Sequence, residues 1–188
     1  MPAPLLVAIP LVLCALLAVT FLLVLRRAAR VVAQTREMDA FRQAAGDLAT
    51  RIAASLTGAG ERVDAVRRGQ VAPDTVGETL DAARDAMERY RAEAEALVAP
   101  IGYGPLRVRL VEQVDRAARA LDMVDHGCAT LSAGSGGRAR EPEGQTAIKR
   151  GYLNLLHARE AVVEIGTILR KARPSRTPPR WFRDRSAD

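Results

Sequence analysis

The chain has 188 residues and a formal net charge of +6, and all but two of its 28 basic residues are arginine. This length is enough for one domain with a hydrophobic core, and the abundance of Ala and Arg is typical of a GC-rich bacterial genome. The two cysteines, Cys14 and Cys128, are far apart and form no CxxC pair. This spacing excludes a disulfide-rich fold and a cysteine-based zinc site.

The amino-terminal segment Met1–Leu25 has no charged side chain, and Arg26, Arg27 and Arg30 follow it directly. As an α-helix, the apolar stretch Leu5–Leu25 would be about 31 Å long, which is enough to cross a bilayer. A cleaved signal peptide is less favoured, because no basic residue precedes the stretch. We therefore predict a single-pass protein of the inner membrane. The positive-inside rule places its N-terminus outside and its C-terminus in the cytoplasm.

Four further stretches have apolar residues at every third or fourth position, which is typical of amphipathic helices. They cover Met38–Leu56, Val76–Leu97, Leu110–Leu131 and Ile148–Leu169. No stretch shows the alternation that is typical of a β-strand. The sequence therefore predicts an all-α protein in which one transmembrane helix precedes an antiparallel bundle of about four helices with coiled-coil-like seams. The predicted domains are an anchor with a basic flank at 1–30, the bundle at 31–172 and a tail at 173–188.

Glycine and proline mark the predicted connections. Gly58–Gly60 is expected to interrupt the first helix, and Gly69–Pro73 is expected to form a turn before the second. Asp74 or Thr75 is expected to cap the second helix. The segment Pro100–Pro105 ends the second helix, and residues 132–146 are expected to form a mobile loop. Residues 26–69 carry a net charge of +4 and residues 70–99 one of −4. We expect these two regions to form exposed ion pairs across the bundle, each worth about 0–1 kcal/mol.

Catalytic and metal-binding patterns are lacking in the sequence. The only histidines, His126 and His157, belong to different helices, and neither has a second ligand at helical spacing. Cys128 falls on an apolar seam and is expected to be a buried, inert thiol. The glycine-rich segment Ser132–Gly137 lacks the Lys-Ser/Thr pair of a phosphate-binding loop. We therefore predict no enzyme, no metal site, no cofactor and no small-molecule substrate.

The tail at 173–188 carries the only partner signal. Its prolines forbid a helix, and its arginines surround an adjacent pair of aromatic residues. Such a segment suits an anionic lipid surface or a protein, with nucleic acid as the less favoured alternative. The predicted contact residues are Arg173, Arg176, Arg180, Trp181, Phe182, Arg183 and Arg185.

These patterns together predict a membrane-anchored cytoplasmic interaction or scaffold protein without catalytic activity. Its expected partners are membrane lipid and a protein, either another protein or a second copy of the chain. Two alternatives stay open: an exported helical domain that binds envelope components, and a tether between membrane and nucleic acid through the tail. The combination of an amino-terminal span and a helical bundle is too common to indicate a family.

Overall fold

The computed structural model describes residues 3–133 and 141–171, and for residues 3–15, 18 and 31 it describes the backbone alone. Within these residues every regular element is helical and no strand occurs. The elements are α1 (Ala3–Arg67), a 3₁₀ turn (Pro73–Thr75), α2 (Gly77–Ala96), α3 (Gly104–Ser132) and α4 (Glu141–Lys171). The predicted all-α class is confirmed.

Contacts between neighbouring helices show that the chain runs up and down through the bundle. In each pair of helices, residue numbers rise along one helix as they fall along the other, which is the antiparallel arrangement. For α1 and α2 these contacts are Arg51 with Glu93 and Ser55 with Tyr90, and for α2 and α3 they are Arg84 with Asp122 and Arg91 with Asp115. For α3 and α4 they are Arg109 with Glu164 and Met123 with Asn154. For α1 and α4, Arg67 contacts Tyr152, and Ala49 lies beside Gly166, where an added Cβ would be 3.5 Å away. The predicted helical bundle is confirmed.

The core is built from the predicted seams, because the apolar residues at helical spacing are the ones that the bundle buries. On α3 and α4 nearly every third or fourth residue is fully buried, whereas Tyr152 and Leu156 of the predicted α4 seam are half-buried and Val163 is exposed. The core residues of these two helices include Leu110, Val114, Ala117, Leu121, Val124, Cys128, Ile148, Leu155, Val162 and Leu169.

The glycines of α1 do not interrupt it, contrary to the predicted break at Gly58–Gly60. Glycine inside a helix costs about 1 kcal/mol relative to alanine. Burial of Ala59, Val63 and Val66 around these positions offsets that cost. The helix continues to Arg67 and is followed by Gly69, whose φ is +69°.

The end of α1 is a Schellman motif. The Gly69 N–H donates to the carbonyl of Val66 at 2.9 Å, and the Gln70 N–H donates to that of Ala65 at 2.9 Å. Both bonds satisfy carbonyls that would otherwise lack a partner at the helix end.

Two local predictions differ from the structure. Residues 134–140 of the predicted loop at 132–146 lie outside the described residues, and its last part is helical: α4 begins at Glu141 and includes Pro142 in its first turn, where proline needs no hydrogen-bond partner. The expected cap of α2 by Asp74 or Thr75 is also wrong, since Val76 occupies that position without a side-chain hydrogen bond. The Thr75 hydroxyl donates to the carbonyl of Ala72 at 2.8 Å instead.

Helices α3 and α4 approach each other through glycines. A Cβ atom on Gly151 would lie 2.8 Å from the carbonyl oxygen of Ala120, and one on Gly127 would lie 2.8 Å from that of Gly144. Real Cβ atoms essentially never come this close to another heavy atom. The two backbones therefore pack against each other where only glycine fits.

The described residues fall into two compact units that divide between Ala40 and Phe41. The helices, core and contacts of the bundle reported above belong to the second unit, apart from the part of α1 that precedes Phe41. The predicted domain limits at 30 and 172 stay predictions.

The predicted location in the inner membrane is contradicted. Within the described part of the chain, none of the helices combines the length and the apolarity that a membrane crossing requires. The transmembrane anchor and the N-outside orientation derived from it are therefore corrected.

Candidate interaction surfaces

The turn between α2 and α3 presents two aliphatic side chains almost wholly to solvent. Val98 is 89% exposed and Ile101 is 92% exposed, more than any other large apolar residue described. Single exposed aliphatic residues are common on protein surfaces, but two of them in one short turn form a local apolar projection. We call the segment from Leu97 to Tyr103 the tip.

An aromatic cluster fixes the tip to the start of the bundle portion of α1. The rings of Phe41 and Tyr103 lie 5.4 Å apart at an angle of 59°, a favourable tilted arrangement. The Arg42 side chain donates from Nε to the Tyr103 hydroxyl at 2.7 Å, and its guanidinium lies 5.2 Å from the ring centroid. Tyr103 is thereby held by both its ring and its hydroxyl.

Backbone contacts hold the other side of the tip. The Tyr103 N–H donates to the carbonyl of Pro100 at 3.0 Å across a turn in which Gly102 has a φ of +90°. This is the geometry of a type II turn, which requires glycine at that position. Arg107 donates from Nη1 to the carbonyls of Glu95 and Leu97, at 3.4 and 3.3 Å, and satisfies the end of α2. The exposed aliphatic side chains therefore project from a turn with a fixed backbone.

A second exposed apolar surface lies in the first unit. Large apolar side chains between Leu16 and Leu25 are each at least half exposed, and they occur on every side of the helix. A helix that is apolar all round is normally covered by other groups, and an exposed surface of this kind marks an interaction site. We call Leu16–Leu25 the apolar segment.

Ion pairs link the charged side chains of neighbouring helices in the bundle. Arg84 of α2 binds Asp122 of α3 at 2.8 Å and Asp125 at 3.5 Å, and it also binds Asp81 of its own helix at 2.7 Å. Hydrogen bonding to Asp122 raises the pKa of Arg84 above its ordinary value, so this side chain stays charged. The expected pairing of α1 with α2 is represented by Arg51 and Glu93.

Within the described ranges 3–133 and 141–171, side chains with catalytic potential are not brought together. His126 and His157 are both exposed, and no group of His, Cys, Asp and Glu in the described residues could hold a metal ion. Cys128 is buried, as predicted, and burial, with a smaller contribution from Asp125, raises its pKa to about 11. A thiol with this pKa is protonated at neutral pH and is a poor nucleophile. The side-chain oxygen Oε1 of Gln113 is buried without a hydrogen-bond partner.

The predicted contact residues of the tail lie outside the described residues. They are Arg173, Arg176, Arg180, Trp181, Phe182, Arg183 and Arg185.

The tip was not identified from the sequence, although the sequence carries a signal for it. Val98 and Ile101 are apolar residues within two positions of Pro100, in a turn where polar residues are usual.

Comparisons with known proteins provide no information on function, so the proposal below is based on the surfaces described above. No protein-family model, curated protein or solved structure matches the chain.

Proposed function

We propose that the chain is a non-catalytic interaction or scaffold protein whose helical bundle presents the tip to a protein partner. The observation that carries this proposal is the exposure of Val98 and Ile101 on a turn that is held on both sides. Apolar side chains that are fixed before binding lose little conformational entropy on association, and this favours affinity. The exposed apolar segment supports the same proposal, because it too is a surface suited to an apolar partner.

The partner that fits the tip is a protein with an apolar pocket for two aliphatic side chains. Two such residues are fewer than the 20–30 or so residues a side of a typical stable interface. The tip therefore acts as the anchor of a larger contact, in which a few central residues supply most of the binding energy.

A photo-crosslinking amino acid at position 101 of the full-length chain tests this proposal. We expect a discrete adduct in cells, and we expect it to disappear when Val98→Asp is added, because a charge in the partner's apolar pocket is unfavourable. The mass of the adduct distinguishes a second copy of the chain from another protein. The control places the same crosslinker at Ala92, an exposed residue of α2 outside the tip.

Two results would overturn the proposal. One is the absence of an adduct at position 101, and the other is an adduct that persists unchanged in the Val98→Asp variant. Because Val98 is almost wholly exposed, this substitution should change the free energy of unfolding by less than about 0.5 kcal/mol. Thermal unfolding of the variant verifies that loss of the adduct is not loss of the fold.

A further inference from the structure

A cavity of about 680 Å³ lies where α1, the α1–α2 turn, the end of α3 and the first half of α4 meet. Its volume falls within the range of about 300–1,000 Å³ that is typical of small-molecule sites. The tip is not part of its lining, so a ligand here would constitute a function separate from the proposed partner binding.

The lining divides into an apolar part and a cationic part. Val71, Pro73 and Leu131 are half-buried and provide the accessible apolar surface, and the buried Val66 and Ile148 also belong to the lining. Arg67 and Lys149 contribute the only charged side chains of the lining, and no carboxylate is among the lining residues described. An apolar body with one anionic group matches this combination, because each part of the ligand then meets a complementary surface.

Arg67 is held in place from two sides. Its Nη2 lies 2.7 Å from Oδ1 of Asp64, and its guanidinium lies 5.4 Å from the centroid of the Tyr152 ring. Asp64 also binds Arg68 at 2.8 Å, so one carboxylate is shared by two guanidinium groups and a positive charge remains in excess. Lys149 is exposed and adds a second positive charge to the lining.

Neutral polar groups complete the lining. The Thr146 hydroxyl donates to the carbonyl of Pro142 at 2.6 Å, and Gln145 donates to the carboxylate of Glu141 at 3.4 Å. Glu141 is not a lining residue itself, but its carboxylate accepts the hydrogen bond from the lining residue Gln145. The two cationic lining residues are Arg67 on α1 and Lys149 on α4.

We propose that this cavity binds an amphipathic organic anion, whose apolar body contacts Val71, Pro73 and Leu131 and whose carboxylate or phosphate group lies at Arg67 and Lys149. Carboxylate and phosphate are both anionic hydrogen-bond acceptors, so either can pair with the two cations of the lining. Binding experiments with both kinds of headgroup distinguish them.

Calorimetric titration of the full-length chain with decanoate, decyl phosphate, decanol and butyrate tests this inference. We expect one equivalent of decanoate or decyl phosphate to bind, and the tighter of the two identifies the headgroup. Decanol lacks the charge and therefore the charge-assisted hydrogen bond, and butyrate lacks the long apolar body and therefore most of the apolar burial. Each should bind at least about tenfold more weakly.

Lys149→Gln removes one cation from the lining and should weaken binding of the preferred anion about tenfold. Arg150→Gln is the matched control, because Arg150 is the next residue, is exposed and is not part of the lining. It should leave the affinity within about twofold. Equal affinities for decanol and decanoate, equal effects of the two substitutions, or the lack of saturable binding would each overturn the inference.

Discussion

Replacement of Gly151 by alanine tests the close packing of α3 and α4. A Cβ at this position would lie 2.6 Å from Cγ2 of Val124 and 2.8 Å from the carbonyl oxygen of Ala120. The valine methyl group can rotate, but the carbonyl belongs to the backbone of α3. Ordinary contact begins at 3.4 Å, so the two helices must separate locally by about 0.6 Å.

Two opposing effects determine the size of the change. Overpacking of this kind costs about 1–3 kcal/mol, whereas alanine gains about 1 kcal/mol over glycine inside a helix. Gly58→Ala is the matched control, because Gly58 is exposed inside α1 and a Cβ there would contact nothing within 4 Å. It should show the gain alone, and Gly151→Ala should therefore be less stable than Gly58→Ala by about 1–3 kcal/mol.

Urea unfolding of the full-length variants, followed by far-UV circular dichroism, measures this difference. If Gly151→Ala stabilises the protein as much as Gly58→Ala does, α3 and α4 do not approach each other at this position. The register of the two helices described above would then be wrong.

Three further predictions concern the core, the ion pairs and the buried thiol. Leu121→Asp places a charge at a fully buried position and should lower the free energy of unfolding by several kcal/mol or prevent folding. Arg119→Ala, at an exposed position, should lower it by less than about 0.5 kcal/mol in the same urea assay. Equal effects of the two substitutions would contradict the assigned helix face. Arg84→Ala removes contacts with three aspartates and should lower the free energy of unfolding by about 1 kcal/mol. The control Arg89→Ala should change it little, and the difference between the two variants should shrink at high salt. A loss that does not depend on salt would show that the ion pairs are not its cause. Because burial raises the pKa of Cys128 from 9.0 to about 11, the unfolded thiol ionises first as the pH rises, so the free energy of unfolding should fall between pH 9 and 11. This part of the pH dependence should be missing in Cys128→Ala, and an unchanged slope would place the thiol in contact with water.

The helices could be predicted from sequence because apolar spacing depends on local geometry. The seam from Leu110 to Cys128 is buried as its spacing indicates. The packing roles of Gly127, Gly144 and Gly151 could not be predicted, because each depends on which backbone lies opposite. Spacing along one helix carries no information about the neighbouring helix. Gly144 was moreover assigned to a loop, since glycine and proline around it are typical of loops.

The candidate functional features could be predicted only in part. The burial of Cys128 was predicted correctly, because its position on the apolar seam of α3 determines its environment. It did not identify the tip or the cavity, because both are formed by residues that only the folded bundle brings together. Arg67 and Lys149, for example, are separated by two helices in the sequence and meet because α1 and α4 are antiparallel neighbours.

Cysteine accessibility at position 101 tests the central claim, that the tip is covered by a partner protein, most directly. Full-length Ile101→Cys, in a Cys14→Ser background, is labelled with a maleimide in native cell extract and again after purification, and Ala92→Cys serves as the control. Cys128 should stay unlabelled in both, because it is buried and its pKa is about 11. We predict that position 101 is labelled several-fold more slowly in the extract than in the purified chain, while position 92 is labelled equally in both. Equal labelling of position 101 in the two samples would contradict the account.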